Sequence, residues 1–170
     1  MKAEGSRFTS VAAWRAGIRK YRSLSQRERW LFRRALATVF TMRVALWFLP
    51  LAILIRAVRK LGARPILDPG RRIPPPGLAR MVARAGRIVP FATCLTQALA
   101  LQTLMAASGY ATTIRIGVAK QAGAKLESHA WLEYQGEVLL GGPGTERYAP
   151  ILEWSLPEVP GGPKPGLKAA

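Results

Sequence analysis

Pro90-Phe91-Ala92-Thr93-Cys94-Leu95-Thr96-Gln97-Ala98-Leu99-Ala100-Leu101-Gln102-Thr103-Leu104-Met105 is the stretch on which the reading of this chain turns. Leu95, Ala98, Leu99, Gln102 and Met105 recur at helical spacing and Gly109 supplies a C-terminal cap, which predicts a buried helix with Cys94 in its first turn. A thiol at that place meets the positive end of the helix dipole and unpaired backbone amides, both of which favour thiolate, the reactive form. The same amides can help hold an oxyanion.

Downstream the period changes from helical to alternating. Thr112 to Val118 is β-branched and alternating and predicts a strand, with Ala119 to Lys125 as a polar connection. Glu127–Tyr134 and Glu137–Leu140 predict two further strands around a turn at Gln135-Gly136. In the first of these, His129, Trp131 and Glu133 share one face, and Ala130 and Leu132 the other. Cys94 and His129 are the only cysteine and the only histidine of the chain. A nucleophile at a helix start followed by a histidine in an early strand is an arrangement able to carry acyl-transfer chemistry.

Upstream, Ser25-Gln26-Arg27-Glu28 is a capping box, so a helix is expected to start there and run to about Leu49, where Pro50 ends or kinks it. A second helical piece is expected from Leu51 to Leu61, stopped by Gly62. Between Arg64 and Pro76 five prolines and Gly70 fix φ angles and remove donors, which reads as a linker, followed by a short basic helix from Gly77 to Arg87. The organisation expected is a basic helical region over 1–63, a Pro-rich linker over 64–76, a catalytic core over 77–155 and a flexible tail over 156–170. The fold class is α+β.

The chain has 170 residues and a formal net charge of +17. Residues 1–90 hold 20 Lys and Arg against 3 Asp and Glu, whereas residues 91–170 hold 6 against 6. The excess therefore belongs to the N-terminal half, where it attracts acidic peptide, anionic lipid or nucleic acid without specifying which. No aromatic-basic sheet motif and no helix-turn-helix signal accompanies it, so nucleic acid is not expected as a partner. A single cysteine excludes an internal disulfide framework, no Cys/His cluster has metal-ligand spacing, and no cofactor is expected. Within Ala35–Ile55 the longest apolar run, Val44 to Ile55, contains Pro50 and is far shorter than the ~20 residues of a span; buried helix is expected, with peripheral membrane contact left open by the flanking arginines. The amino terminus lacks an apolar h-region, and a reducing cytoplasm, with membrane association open, is the expected compartment.

Taken together, Pro90-Phe-Ala-Thr-Cys94-Leu-Thr-Gln-Ala-Leu-Ala100, Ile114-Arg-Ile-Gly-Val118, Ser128-His-Ala-Trp-Leu-Glu133 and Arg147-Tyr-Ala-Pro-Ile151 resemble the B proteins of lasso-peptide biosynthesis. These are transglutaminase-like leader peptidases, and the microcin J25 maturation peptidase is a homologue. Leu24-Ser25 and Trp30-Leu-Phe-Arg-Arg34 resemble the family's N-terminal portion, so the likeness extends to about Trp154. It implies a papain/transglutaminase-like core, a Cys-bearing helix packed on a small antiparallel sheet bearing the His. It also implies a cytoplasmic cysteine peptidase that removes the leader from a ribosomally made precursor. The implied partners are the precursor peptide with its leader, a separate precursor-recognition protein and an ATP-dependent macrolactam cyclase.

The resemblance implies Cys94 as nucleophile, His129 as general acid/base, and a carboxylate behind the histidine, supplied from the following strand. Here the sequence departs from the pattern, because no aspartate follows Asp68. A turn that sets Tyr134 opposite Glu137 would put Gly142 across from His129. Glu133 lies about 13 Å along the strand from the histidine, too far for a direct hydrogen bond. Glu146 in the loop after Gly141-Gly-Pro-Gly144 is the candidate orienter, with a backbone carbonyl or Gln97 as alternatives. Trp131 and Gln97 are candidate substrate contacts, although Trp131 reads most simply as core or cleft wall. A lone cysteine on an apolar helix is ordinarily a small buried side chain. The competing reading is a transglutaminase-like scaffold that binds without turnover.

Overall fold

Ser25 opens the first helix with a complete capping box: its Oγ accepts from the Glu28 amide at 3.2 Å, and the Glu28 carboxylate accepts from the Ser25 amide at 2.9 Å. The computed structural model describes residues 25–63, 73–120 and 126–156. Expectations for the arginines before Ser25, for 64–72, for 121–125 and for the tail from 157 fall outside the described residues. Helix α1 spans Gln26–Phe48 and ends where Leu49 turns extended ahead of Pro50, the conformation a following proline imposes. Helix α2, Leu51–Gly62, follows at once. Gly62 is buried against α1's neighbours, where a Cβ would stand 3.5 Å from the Ala106 Cβ.

Helix α3 covers Pro75–Gly86, two residues earlier than the sequence predicts. Pro75 and Pro76 occupy its first positions, where the amides have no intrahelical acceptor and a missing N–H costs nothing. Helix α4, Cys94–Ala107, is capped by Thr93, whose Oγ1 accepts from the Thr96 amide at 3.2 Å. It ends through Gly109, whose φ of 79° lets the Tyr110 amide reach back to the Met105 carbonyl. Contrary to a one-sided stripe, α4 is buried nearly all round, with Thr96, Ala98 to Gln102 and Leu104 to Ala107 inaccessible. The reason is its position: α1, α2, α3 and the sheet all pack on it.

Four antiparallel strands follow, β1 (Thr113–Lys120), β2 (Leu126–Tyr134), β3 (Glu137–Leu140) and β4 (Ala149–Ser155), in the order β3-β2-β1-β4. Strand β1 runs two residues past its expected end, and β4 is an element the sequence reading did not assign. The β2–β3 turn has positive φ at both Gln135 (53°) and Gly136 (79°), the type I′ geometry of a two-residue hairpin. The expected register holds at Tyr134↔Glu137 and Glu133↔Val138 and then slips, with Leu132 opposite Leu140. That bulge overturns the projected His129–Gly142 pairing. One face of the sheet, with Ile114, Leu132 and Trp154, joins Leu31, Ala35, Val39, Leu78, Val82, Leu99 and Leu101 in a single α+β core.

Candidate active site

Cys94 is the first residue of α4, half-buried and free of disulfide. Its turn is fixed by two threonines, Thr93 as cap and Thr96 fully buried, whose hydroxyls also hydrogen-bond at 2.9 Å. Just ahead of them Phe91 has φ 58° and is 77% exposed. A bulky residue in the left-handed region carries backbone strain, and it lies three residues before the cysteine. Gln97, one turn into the helix, lies against Gly86 at the end of α3, where a larger residue would displace its side chain.

Two anchors show how α4 lies along the sheet. Leu156, whose amide donates to the Thr112 carbonyl, packs with Ala106. Trp154, opposite Ile114, donates from Nε1 to the buried Gln102 Oε1 at 2.9 Å. Two strand residues therefore match four helix residues, about 6 Å by either rise. Three more strand residues, from Ile114 to Gly117, carry the match back by about six helix residues into the first turn of α4. Gly117 pairs with His129. By this rise, the first turn of α4, with Cys94, falls toward the Gly117–His129 end of the layer.

Cys94 and His129 approach it from different sides. Leu132 faces the helices, whereas His129, Trp131 and Glu133 alternate to the opposite face. On that face the His129 ring stacks on Trp131 (centroids 6.4 Å, 16°) and leans on Tyr148 (5.2 Å, 31°). At Gly117 a Cβ would come within 2.9 Å of the Tyr148 Cβ and 3.0 Å of the Trp131 ring, so the absent side chain is what lets these rings close. Strand β3 pairs only with Leu132 to Tyr134, which leaves the outer edge of β2 at His129 without a strand neighbour among the described residues.

The imidazole is held by the backbone. His129 Nε2 lies 2.8 Å from the Gly141 carbonyl oxygen, and since a carbonyl only accepts, Nε2 is the nitrogen that carries the proton. In the neutral ring Nδ1 then holds the free lone pair. Gly141 has φ 133°, and a Cβ there would collide with the Trp131 Cβ, so this contact requires glycine. Glu146 sits exposed in a short 3-10 turn, Thr145–Arg147, and the hydrogen bond of the ring goes to Gly141.

Other charged groups are committed elsewhere. Glu133 accepts from Trp131 Nε1 at 2.9 Å and lies 3.5 Å from Arg115 Nε, which is also 3.2 Å from Glu153. These two arginine contacts are ion pairs without hydrogen-bond alignment. Arg147 donates to the Tyr148 hydroxyl at 2.6 Å and to Glu127 at 3.1 Å. The Tyr148 hydrogen bond first, and then the Glu127 charge, hold the arginine above its ordinary range. Sequence reasoning missed Gly117, Gly141 and Tyr148. The signals were present as Gly117 inside a β-branched strand, a glycine run after β3 and an aromatic beside Arg147.

A comparison with protein families matches residues 35–153 to the transglutaminase-like superfamily. The match starts inside α1 and ends inside β4, so it takes in both halves of the core. Neither the curated proteins nor the solved structures give a significant match. With a cysteine at the start of the central helix, a histidine on the antiparallel sheet and well over half its length matched, the chain belongs to the transglutaminase-like superfamily.

Proposed function

We propose that the protein is a cysteine peptidase that removes the leader from a ribosomally synthesised lasso-peptide precursor. The observation that carries the chemistry is the His129 Nε2 hydrogen bond to Gly141, which leaves Nδ1 as the nitrogen that would serve Cys94 as base. The strand-free edge of β2 at His129 is where the thiol and the ring would meet. Resemblance of Pro90–Ala100, Ser128–Glu133 and Arg147–Ile151 to the lasso B proteins supports the substrate class.

In this reading the Cys94 sulfur attacks the carbonyl carbon at the leader–core junction, and amides of the first turn of α4 stabilise the oxyanion. Collapse breaks the C–N bond. The core's amine leaves with the proton that His129 took from the thiol, and the leader remains as a thioester. Water then loses a proton to Nδ1 and adds to the thioester, which releases the leader carboxylate and restores the thiol. Exposed Phe91 is the proposed substrate contact, and Trp131 and Tyr148, both buried, form the wall behind His129; Gln97, held on Gly86, supports the helix start. The recognition protein and the macrolactam cyclase are the proposed partners.

The test is mass spectrometry of a leader-bearing lasso precursor incubated with its recognition protein and either wild type or Cys94→Ala. Wild type should yield separate leader and core, and the variant should yield neither. Precursor left intact by folded wild type would sink the proposal. One observation favours a second reading, a scaffold without turnover: the partner of His129 is a neutral carbonyl, which orients the ring without the full charge of a carboxylate. A scaffold would support maturation equally well as Cys94→Ala.

A further inference from the structure

Along α1 the buried positions Leu31, Ala35 and Val39 define the inner stripe. The outer face carries large apolar side chains among Gln26, Arg33 and Thr41: Trp30, Phe40, Trp47 and Phe48 are 47%, 57%, 62% and 77% exposed. Leu49 and Ile53 extend it around the α1–α2 corner, both largely accessible. Solvent-facing positions of a surface helix are ordinarily polar, so an apolar outer stripe marks a surface that something covers.

The charge around this stripe is of one sign. Residues 25–63 contain eight arginines and lysines and one acid, Glu28, at the far end of α1 from the corner. Two of the arginines lie on the stripe's own rings, Arg34 over Trp30 at 4.7 Å and Arg43 over Trp47 at 4.9 Å. Arg43 Nε is buried there with no hydrogen-bond acceptor among the described residues. Aromatic rings with cations laid over them, and no acid among the described residues 29–63, match the headgroup region of an anionic bilayer, where rings sit at the interface and guanidinium groups meet phosphate. A protein partner's rim would call for charges of both signs, whereas the described charges from 29 to 63 are all basic. No described helix is long and apolar enough to cross a membrane, so the chemistry is that of a helix lying on the surface.

We propose that the outer stripe of α1 and the α1–α2 corner dock the protein on an anionic lipid surface, with Trp47 and Phe48 entering the interface. The residues involved are remote in sequence from Cys94 and His129, so docking and peptide cleavage are separable.

The experiment is sedimentation of the full chain with vesicles of phosphatidylcholine alone or of phosphatidylcholine with one-third phosphatidylglycerol. Wild type should sediment with the anionic vesicles only, and the Trp47→Ser/Phe48→Ser double variant should bind at least about tenfold more weakly. Because the basic residues alone attract anionic lipid, the double variant is the deciding arm, and Phe48→Trp should retain binding. Circular dichroism verifies that the variants keep their helices. No sedimentation of wild type, equal binding to neutral vesicles, or full binding by the folded double variant would overturn the proposal. So would concentration-dependent self-association that the double variant abolishes, which would assign the face to a second copy of the chain.

Discussion

Cys94 and His129 are legible in the sequence because each is unique and each falls on a recognisable element, a capped helix start and an alternating strand. Gly141 was not legible. Its contact with the ring depends on the slip at Leu139, and a one-residue change of register cannot be read from a glycine run. The account therefore makes Gly141 a positioning residue, with an expected signature. Gly141→Ala places a Cβ at positive φ into Trp131, and should cost about 2 kcal/mol in urea unfolding while cutting kcat more than it raises KM. Phe91 behaves oppositely. Phe91→Gly removes left-handed strain of about 1 kcal/mol, so stability should hold or rise while KM for the peptide increases.

At the scale of elements, local chemistry did most of the specifying. The Ser25–Glu28 box, Pro50, Gly109 and Gln135-Gly136 placed helix and hairpin boundaries within a residue or two. Helix α3 starts two residues before the sequence signal because a proline breaks a helix only in its interior, and Pro75 and Pro76 sit in the first turn where the missing amide is neutral. Strand β4 was missed for a different reason: Ala149, Pro150, Ile151 and Leu152 are all exposed, so the alternation that reveals a strand is absent until Trp154. The capping box also gives a pH dependence. The Ser25 backbone hydrogen bond, followed by its hydroxyl, holds the Glu28 carboxyl below its ordinary value. The stabilisation it brings is complete above the unfolded carboxylate value and is lost as pH falls through the lowered folded one. Helix content followed by circular dichroism should therefore decline on acidification more in wild type than in Glu28→Gln; equal profiles would contradict the assignment.

For the whole molecule, charge partition was visible at once in the sequence, whereas the central position of α4 was not, since long-range packing of a uniformly apolar helix leaves no one-sided pattern. The register between that helix and the sheet rests on the Trp154–Gln102 hydrogen bond, which no local signal announces. Gln102 is fully buried and its Nε2 already lacks an acceptor among the described residues, so Trp154→Phe would leave the whole amide unpaired there. The expected loss is about 2 kcal/mol by urea unfolding, with a further loss of activity because the Cys94 and His129 ends of the layer would no longer be held in step. Unchanged activity in that variant would separate the register from function. Whether Cys94 and His129 work as a pair is read from the rate at which iodoacetamide alkylates Cys94 at neutral pH, followed by mass spectrometry of the intact protein. If His129 draws the proton from the thiol, His129→Gln slows alkylation at least about tenfold with the fold retained; equal rates in wild type and variant would show that the two do not act as a pair.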